Sequence, residues 1–115
     1  MSHKSETQRR RELGDFGEDR ALQLLIEKGL EFVEKMPRNF HFFDLMARRD
    51  GRNVLFPVKT RSKHTAKGNL KTNGYNHKEE QIESVKKIAS FFNAKVEWIA
   101  VTVDTKTKTY SAYNG

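Results

Sequence analysis

An aspartate interrupts one of the most apolar segments of this chain. Asp44 lies between Phe42-Phe43 and Leu45-Met46. Taking an isolated carboxylate out of water costs free energy unless a cation, a metal ion or a hydrogen-bond donor compensates its charge. Asp44 is therefore a candidate for metal binding. The alternative is a structural aspartate at the end of a strand, where its side chain accepts a hydrogen bond from a backbone amide in a turn.

A lysine at the end of the next apolar segment is the second candidate. Lys59 ends the run Val54–Lys59, and a hairpin between the two segments would bring it close to Asp44. In phosphodiester hydrolysis a carboxylate can hold Mg²⁺ against the scissile phosphate, and an ammonium group can orient the attacking water or offset developing charge. An ordinary ion pair on the sheet is the alternative interpretation of Asp44 and Lys59.

A glutamate on the first predicted helix is the third candidate. Glu18 shares a helix face with Gly14 and Leu25, because residues three or four positions apart lie on the same side of a helix. We therefore expect its side chain to point inward, where it could join Asp44 through a metal ion or its bound water. The alternatives are a first-turn helix acid and an ion-pair partner of Lys59.

Positive charge is concentrated after the third apolar segment. Between positions 59 and 78 the chain carries six cations and no acid, namely Lys59, Arg61, Lys63, Lys67, Lys71 and Lys78. This stretch lacks apolar periodicity, which predicts a long exposed loop, and its charge favours contacts with phosphate groups. A solvated loop that binds nothing is the alternative. Arg9, Arg10 and Arg11 form a second, weaker basic cluster.

Composition narrows the class of protein. The length of 115 residues fits one domain spanning 1–115, with residues 1–12 as a basic arm. Lysine and arginine outnumber aspartate and glutamate by 22 to 15, which favours a polyanionic partner, nucleic acid above all. The absence of cysteine excludes disulfide scaffolds, thiolate metal sites and cysteine nucleophiles. No apolar run is long enough to span a bilayer, so we expect a cytoplasmic protein.

Hydrophobic periodicity predicts an α/β domain in the order α-β-β-β-α-β-β, with a mixed sheet flanked by helices. The predicted helices cover about 6–28 and 76–93, and the predicted strands cover 31–36, 42–47, 53–60, 96–103 and 109–113. Asp50-Gly51 predicts a hairpin turn between the second and third strands. Phe91, Phe92 and Trp98 lie in apolar segments, so we expect them to fill the core.

The chain resembles the PD-(D/E)XK nuclease superfamily over two segments, GDFGEDRALQLLIEKG and FFDLMARRDGRNVLFPVKTRS, which together span Gly14 to Ser62. The resemblance is to small bacterial endonuclease-like proteins related to archaeal Holliday junction resolvases. The shared pattern is a helix with Gly17-Glu18, a strand with Asp44-Leu45, a turn, and a strand that ends in Val58-Lys59-Thr60-Arg61.

The resemblance implies a restriction-endonuclease-like fold and a Mg²⁺- or Mn²⁺-dependent endonuclease that hydrolyses DNA. The implied substrate is branched DNA, and the implied process is recombination or repair. The resemblance also implies that Glu18 and Asp44 are metal-associated acids, that Val58 offers its backbone carbonyl to the metal, and that Lys59 is the catalytic lysine. Besides the cations Arg61, Lys63, Lys67, Lys71 and Lys78, expected to bind nucleic acid because of their charge, it adds Gln81 on the second helix. Related resolvases act as dimers, so a homodimer is expected.

The chain departs from the pattern of this superfamily at Pro57. Proline stands where the superfamily places glutamate or aspartate, and it offers neither a carboxylate nor a backbone N–H. Three explanations are open. An acid from the second helix, Glu79, Glu80 or Glu83, replaces the lost ligand; or Glu18 and Asp44 support weakened catalysis with one metal; or the chain is a catalytically inactive nucleic-acid-binding domain of the same fold.

Overall fold

The computed structural model describes residues 5–37, 39–40, 42–64, 79–104, 107 and 109–114. The elements in these ranges are α1 (Glu6–Glu27), β1 (Glu31–Lys35), β2 (Leu45–Arg49), β3 (Arg52–Phe56), β4 (Val58–Ser62), α2 (Glu79–Phe91), β5 (Lys95–Val96), β6 (Ile99–Asp104) and β7 (Thr109–Asn114). The strands form two sheets, of order β1-β2-β3-β5 and β4-β6-β7. Neither helix has the length and hydropathy that a membrane crossing requires.

Local sequence signals set both ends of α1. The Ser5 side chain accepts a hydrogen bond from the Gln8 amide (3.1 Å), which satisfies one of the unpaired N–H groups at the start of the helix. At the other end Gly29 has a φ of +82°, and the Leu30 amide donates to the Leu25 carbonyl (3.2 Å). This cap ends the helix and directs the chain into β1.

Asp50 and Gly51 form the predicted hairpin turn between β2 and β3. Both have positive φ, 54° and 76°, as a two-residue type I′ turn requires. The antiparallel pairing continues from the turn to Leu45 opposite Phe56. This register places Asp44, one residue before β2, beside the end of β3.

The strand predicted for 53–60 is not continuous. Pro57 divides it into β3 and β4, which belong to different sheets. Proline has no N–H to donate to a strand ladder, so β3 ends beside β2, and β4 begins beside β6. The segment predicted as one strand, 96–103, is likewise divided into β5 and β6, which pair in parallel with β3 and β4. The observed order is therefore α-β-β-β-β-α-β-β-β.

The two helices pack on opposite faces of the strands. Leu25 of α1 joins a buried cluster that includes Phe56 of β3. Ala89 of α2 joins a smaller cluster with Leu55 and Phe43. Leu55 and Phe56 are adjacent in β3 and enter different clusters, because side chains alternate between the two faces of a strand. A mixed α/β arrangement with a helix on each side is thus confirmed.

The end of α2 differs from expectation. Phe91 and Phe92, predicted to fill the core, are 83% and 61% exposed. The helix buries Val85 and Ala89. It ends at Phe91, and the chain turns at Asn93, which has a φ of 51°. Phe91 and Phe92 therefore lie at the exposed end of the helix. Residues 76–78, the predicted start of this helix, lie outside the described residues.

Gly17 is a point of very close approach between α1 and β4. A Cβ atom at Gly17 would lie 1.7 Å from Oγ1 and 2.6 Å from Cβ of Thr60, so rotation of the threonine side chain cannot relieve the overlap.

We predict that Gly17→Ala lowers the free energy of unfolding by about 1–3 kcal/mol, the usual range for overpacking, as measured by chemical denaturation. Gly14→Ala is the matched control, because a Cβ there meets nothing within 4 Å. Equal stability of the two variants would contradict this packing.

Candidate functional site

Glu18 and Asp44 lie side by side where the β2–β3 hairpin ends. Glu18 is one helical turn before Ala21, which is fully buried, so the inward face of α1 carries Glu18 toward the strands. The two carboxyl groups are close enough for Asp44 to shift the pKa of Glu18. The structure thus brings together the two acids that the sequence suggests, and we call them the acid pair.

Asp44 spans the break that Pro57 makes in the strand. Its amide donates to the Phe56 carbonyl (3.1 Å) at the end of β3. Its carboxylate oxygen Oδ2 accepts a hydrogen bond from the Val58 amide (2.7 Å) at the start of β4. The structural role considered for Asp44, acceptance of a backbone N–H, is therefore present. The same contact fixes its carboxylate beside Glu18.

The environment of Glu18 favours its neutral form. Partial burial, followed by the charge of Asp44 and the hydrogen bond with it, raises the pKa of Glu18 from 4.5 to about 7, and Asp15 adds to the shift. Lys35 opposes the shift, with its Nζ atom 3.8 Å from Oε2 of Glu18. Near neutral pH the acid pair therefore holds a proton for a substantial part of the time.

Two cavities meet at Glu18. The larger cavity, about 720 Å³, contains Asp44, and its polar lining also includes Arg11, Asp15, Asp19 and Lys35. The smaller cavity, about 360 Å³, lies between α1 and β4 and is lined by Arg10, Leu13, Val58, Thr60, Arg61 and Ser62. Gly14 and Glu18 line both. The larger volume falls within the range of sites that bind small molecules or parts of polymers.

Lys59 follows Val58 on β4 but lines neither cavity. It is partly buried and pairs with Ala100 of β6. Thr60 faces α1, as its position against Gly17 requires, so the alternation along a strand directs Lys59 to the other face. The structure therefore groups Glu18, Asp44 and Val58, with Lys59 adjacent along the chain.

Of the predicted nucleic-acid contacts that the structure describes, Arg61 lies beside the acid pair, at the smaller cavity. Arg61 lines the smaller cavity together with Arg10, which lies on α1. Lys63 is exposed, with its Nζ atom 3.7 Å from Oδ2 of Asp104. Gln81 is partly buried on α2 and lines neither cavity. Lys67, Lys71 and Lys78 lie outside the described residues.

No acid of α2 occupies the place that Pro57 leaves without a carboxylate. Glu79, Glu80 and Glu83 are exposed and line neither cavity. Within the described ranges, no group of three or more acidic or histidine side chains is arranged to hold a metal ion. Of the three explanations for Pro57, replacement by an acid of α2 therefore has no support in this geometry.

Sequence reasoning missed two acids and a lysine at the site. Asp15 and Asp19 are on α1 with Glu18, and the spacing of three residues from Asp15 to Glu18 could have indicated a shared helix side. Lys35 donates to Oδ1 of Asp19 (2.8 Å), which raises the pKa of Lys35. No local signal marks Lys35, because only the pairing of β1 with β2, which sets Lys35 opposite Leu45, brings it to the site.

The acid pair fits one oxygen-liganded divalent cation. Two carboxyl groups that share a proton in a partly buried place would be compensated better by a cation between them. Mg²⁺ commonly binds through one or two carboxylates and keeps several waters. Glu18 and Asp44 would hold such an ion, and the Val58 carbonyl is the predicted third ligand. Pro57 leaves this site one carboxylate short.

No protein-family model and no curated protein matches the chain. Its fold is similar to that of Hjc, a Holliday junction resolvase from the archaeal hyperthermophile Archaeoglobus fulgidus, with a TM-score of 0.53. The sequence identity is 17%, and the match covers 83% of this chain and 73% of that chain. The chain therefore has a restriction-endonuclease-like fold, which confirms the predicted fold class.

The raised pKa of Glu18 predicts a pH-dependent stability. The folded-state pKa, about 7, lies above the ordinary value of 4.5. The stability that Glu18 contributes is therefore fully present below about pH 4.5 and is lost as the pH rises through about 7. Glu18→Gln cannot ionise, so we expect its free energy of unfolding to increase relative to the wild type across this interval, in chemical denaturation at a series of pH values. The exposed Glu83→Gln is the control. Parallel pH profiles for wild type and Glu18→Gln would contradict the shift.

Proposed function

We propose that this protein is a metal-dependent endonuclease that hydrolyses phosphodiester bonds in DNA. The observation that carries the proposal is the acid pair at the break between β3 and β4, with Asp44 open to the larger cavity and Glu18 open to both. Partly buried carboxyl groups with a strongly shifted pKa are a frequent feature of reactive sites. The likeness in fold to a Holliday junction resolvase supports this chemistry and makes branched DNA the first substrate to test.

Glu18 and Asp44 would hold Mg²⁺ or Mn²⁺, and Val58 would add its carbonyl. When bound, such a cation offsets the charge of the scissile phosphate and activates water. The protein prepares this site by two contacts. The Val58 amide orients the Asp44 carboxylate at 2.7 Å, and the ammonium of Lys35, 3.8 Å from Glu18, favours the ionised glutamate that a cation requires. The resemblance assigns Lys59 the role of offsetting the charge that develops on the phosphate, for which its side chain must reach the site from the face of β4 opposite Thr60.

The basic residues near the acid pair would bind the DNA backbone. Arg10 and Arg61 come together at the smaller cavity, beside Glu18. Lys63, exposed directly after β4, would extend this surface, whereas Gln81, on α2, would be a separate contact. The basic stretch continues through Lys67, Lys71 and Lys78, outside the described residues. Phosphate contacts increase affinity and fix the position of the DNA without selecting a base sequence, so this surface suits DNA of any sequence.

A DNA-binding domain without nuclease activity is the second candidate function. Its support is Pro57, together with the finding that, among the described residues, no group of three or more acidic or histidine side chains is arranged to hold a metal ion. Fewer ligand charges weaken the binding of a cation such as Mg²⁺. Such a domain would keep the fold and the basic surface and would leave phosphodiester bonds intact.

Substitutions in the acid pair and at Lys59 distinguish these candidates. We expect cleavage of labelled four-way-junction, duplex or single-stranded DNA with Mg²⁺ or Mn²⁺, no cleavage with EDTA, and a loss of about a hundredfold or more in Asp44→Ala and Lys59→Ala. Glu83→Ala, an exposed acid on α2, is the control and should cleave like the wild type. Binding without cleavage under either metal would favour the second candidate. Equal cleavage by all variants would identify a contaminating nuclease.

Replacement of Pro57 tests whether the missing carboxylate limits the site. The residue is fully buried between β3 and β4, directly before Val58. We expect Pro57→Asp to increase the cleavage rate and to lower the Mg²⁺ concentration for half-maximal rate by about tenfold, because it returns a charged ligand. Pro57→Asn has nearly the same shape without the charge and is the control. The same Mg²⁺ dependence in both variants would show that the carboxylate is not the limiting group.

A further inference from the structure

The larger cavity has two walls of different chemistry. One wall carries the acid pair and the further acids Asp15 and Asp19, together with the cations Lys35 and Arg11. The other wall is apolar and consists of Met36, Pro37, Phe40 and Phe43. Metal binding and phosphate binding account for the first wall. Neither accounts for two aromatic rings beside carboxylates.

Packing holds the apolar wall in place. The rings of Phe40 and Phe43 meet edge to face, with centroids 4.8 Å apart and planes at 74°. Phe43 is 6% exposed and packs with Leu55 in the cluster under α2. The Phe40 amide donates to the Pro37 carbonyl (3.0 Å), which fixes the backbone of this segment. The cavity therefore presents a preformed aromatic surface, anchored to the core through Phe43.

The combination of these groups matches the parts of a nucleotide. A nucleobase is planar and apolar on its faces, and such faces stack on aromatic side chains of proteins. A phosphate carries the charge that lysine and arginine bind. A cavity of about 720 Å³ has room for both parts. An apolar ligand without charge would leave Arg11 and the acid pair of this lining without a polar contact from the ligand.

We propose that the larger cavity accepts one unpaired nucleotide of DNA, with its base against Phe40 and its phosphate toward Lys35 and Arg11, next to the acid pair. This inference rests on the proposed function, because it names the substrate of the same site. In a continuous duplex each base is paired and stacked between its neighbours, so no base reaches a wall of this kind. Bulges and single-stranded segments supply bases that are already unpaired, and these bases enter at lower cost.

Binding measurements without cleavage test this inference. The full chain is titrated in EDTA against two labelled duplexes of identical sequence, one fully paired and one with a single extra 2-aminopurine nucleotide that has no partner. Fluorescence anisotropy gives the affinities, and the 2-aminopurine signal reports stacking. Phe40→Leu keeps an apolar side chain but removes the aromatic face, and Phe40→Tyr restores that face. Phe91→Leu is the control, since Phe91 is 83% exposed and does not line the cavity.

We expect the wild type to prefer the bulged duplex and to change the 2-aminopurine signal. Phe40→Leu should lose this preference by about five- to hundredfold, the contribution of one stacked base, while its affinity for the paired duplex stays the same. Phe40→Tyr and Phe91→Leu should keep the preference. Equal affinity of the wild type for the two duplexes, failure to bind either one, or an unchanged preference in Phe40→Leu would each overturn the inference.

Two further measurements complete the test. One distinguishes a nucleotide of DNA from a free mononucleotide, and the other distinguishes failure of this inference from failure of the proposed function. Free deoxyadenosine monophosphate should compete only weakly; competition as strong as that of the bulged duplex would overturn the assignment to DNA and indicate a mononucleotide site. Cleavage of both duplexes is then measured with Mg²⁺. A bulge preference without cleavage supports this inference and contradicts the endonuclease. Cleavage without a bulge preference supports the endonuclease and contradicts this inference.

Discussion

The hydrogen bond from the Val58 amide to the Asp44 carboxylate joins the two sheets at the point where the chain passes from one to the other. Pro57 lies between β3 and β4 and has no N–H group to donate to a strand ladder. β3 therefore pairs with β2, and β4 pairs with β6. A strand that changes sheets leaves backbone groups to be satisfied. Asp44 satisfies such groups on both sides of the break. Its amide donates to the Phe56 carbonyl, and its carboxylate accepts a hydrogen bond from the Val58 amide. Its position in an apolar segment, unfavourable for an isolated charge, is explained by this contact.

The same constraint concentrates negative charge at the break. Once Val58 holds Asp44, the approach of α1 decides how close Glu18 comes, and the packing of Gly17 on Thr60 fixes that approach. Partial burial and the charge of Asp44 then raise the pKa of Glu18 to about 7. Neighbouring carboxyl groups in a partly buried place are unfavourable for stability when both are ionised. Such local conflict is frequent at functional sites, and a divalent cation or a proton relieves it.

The two cavities beside the acid pair are lined by residues of different chemistry. Arg10 and Arg61 are on the side of the smaller cavity, while Lys35 and the aromatic wall with Phe40 are on the side of the larger one. Glu18 belongs to both sides. A DNA strand that crosses Glu18 would thus meet a basic, hydroxyl-lined surface on one side and a mixed surface on the other. This asymmetry suits a polymer whose backbone is charged and whose bases are apolar on their faces.

The sequence by itself determined the features that depend on neighbouring residues: the caps of α1 at Ser5 and Gly29, the Asp50-Gly51 turn, and the helix face that carries Glu18 toward Asp44. These follow from local hydrogen bonding and side-chain periodicity. Only the tertiary structure decided that 53–60 is divided at Pro57 between two sheets and that Phe91 and Phe92 are exposed. It also decided which face of β4 carries Lys59 and that Lys35 lies beside the acid pair. Each of these depends on which distant segments pair and on where an element ends against its neighbours, and the energies of those contacts are set by three-dimensional packing rather than by residues close in sequence.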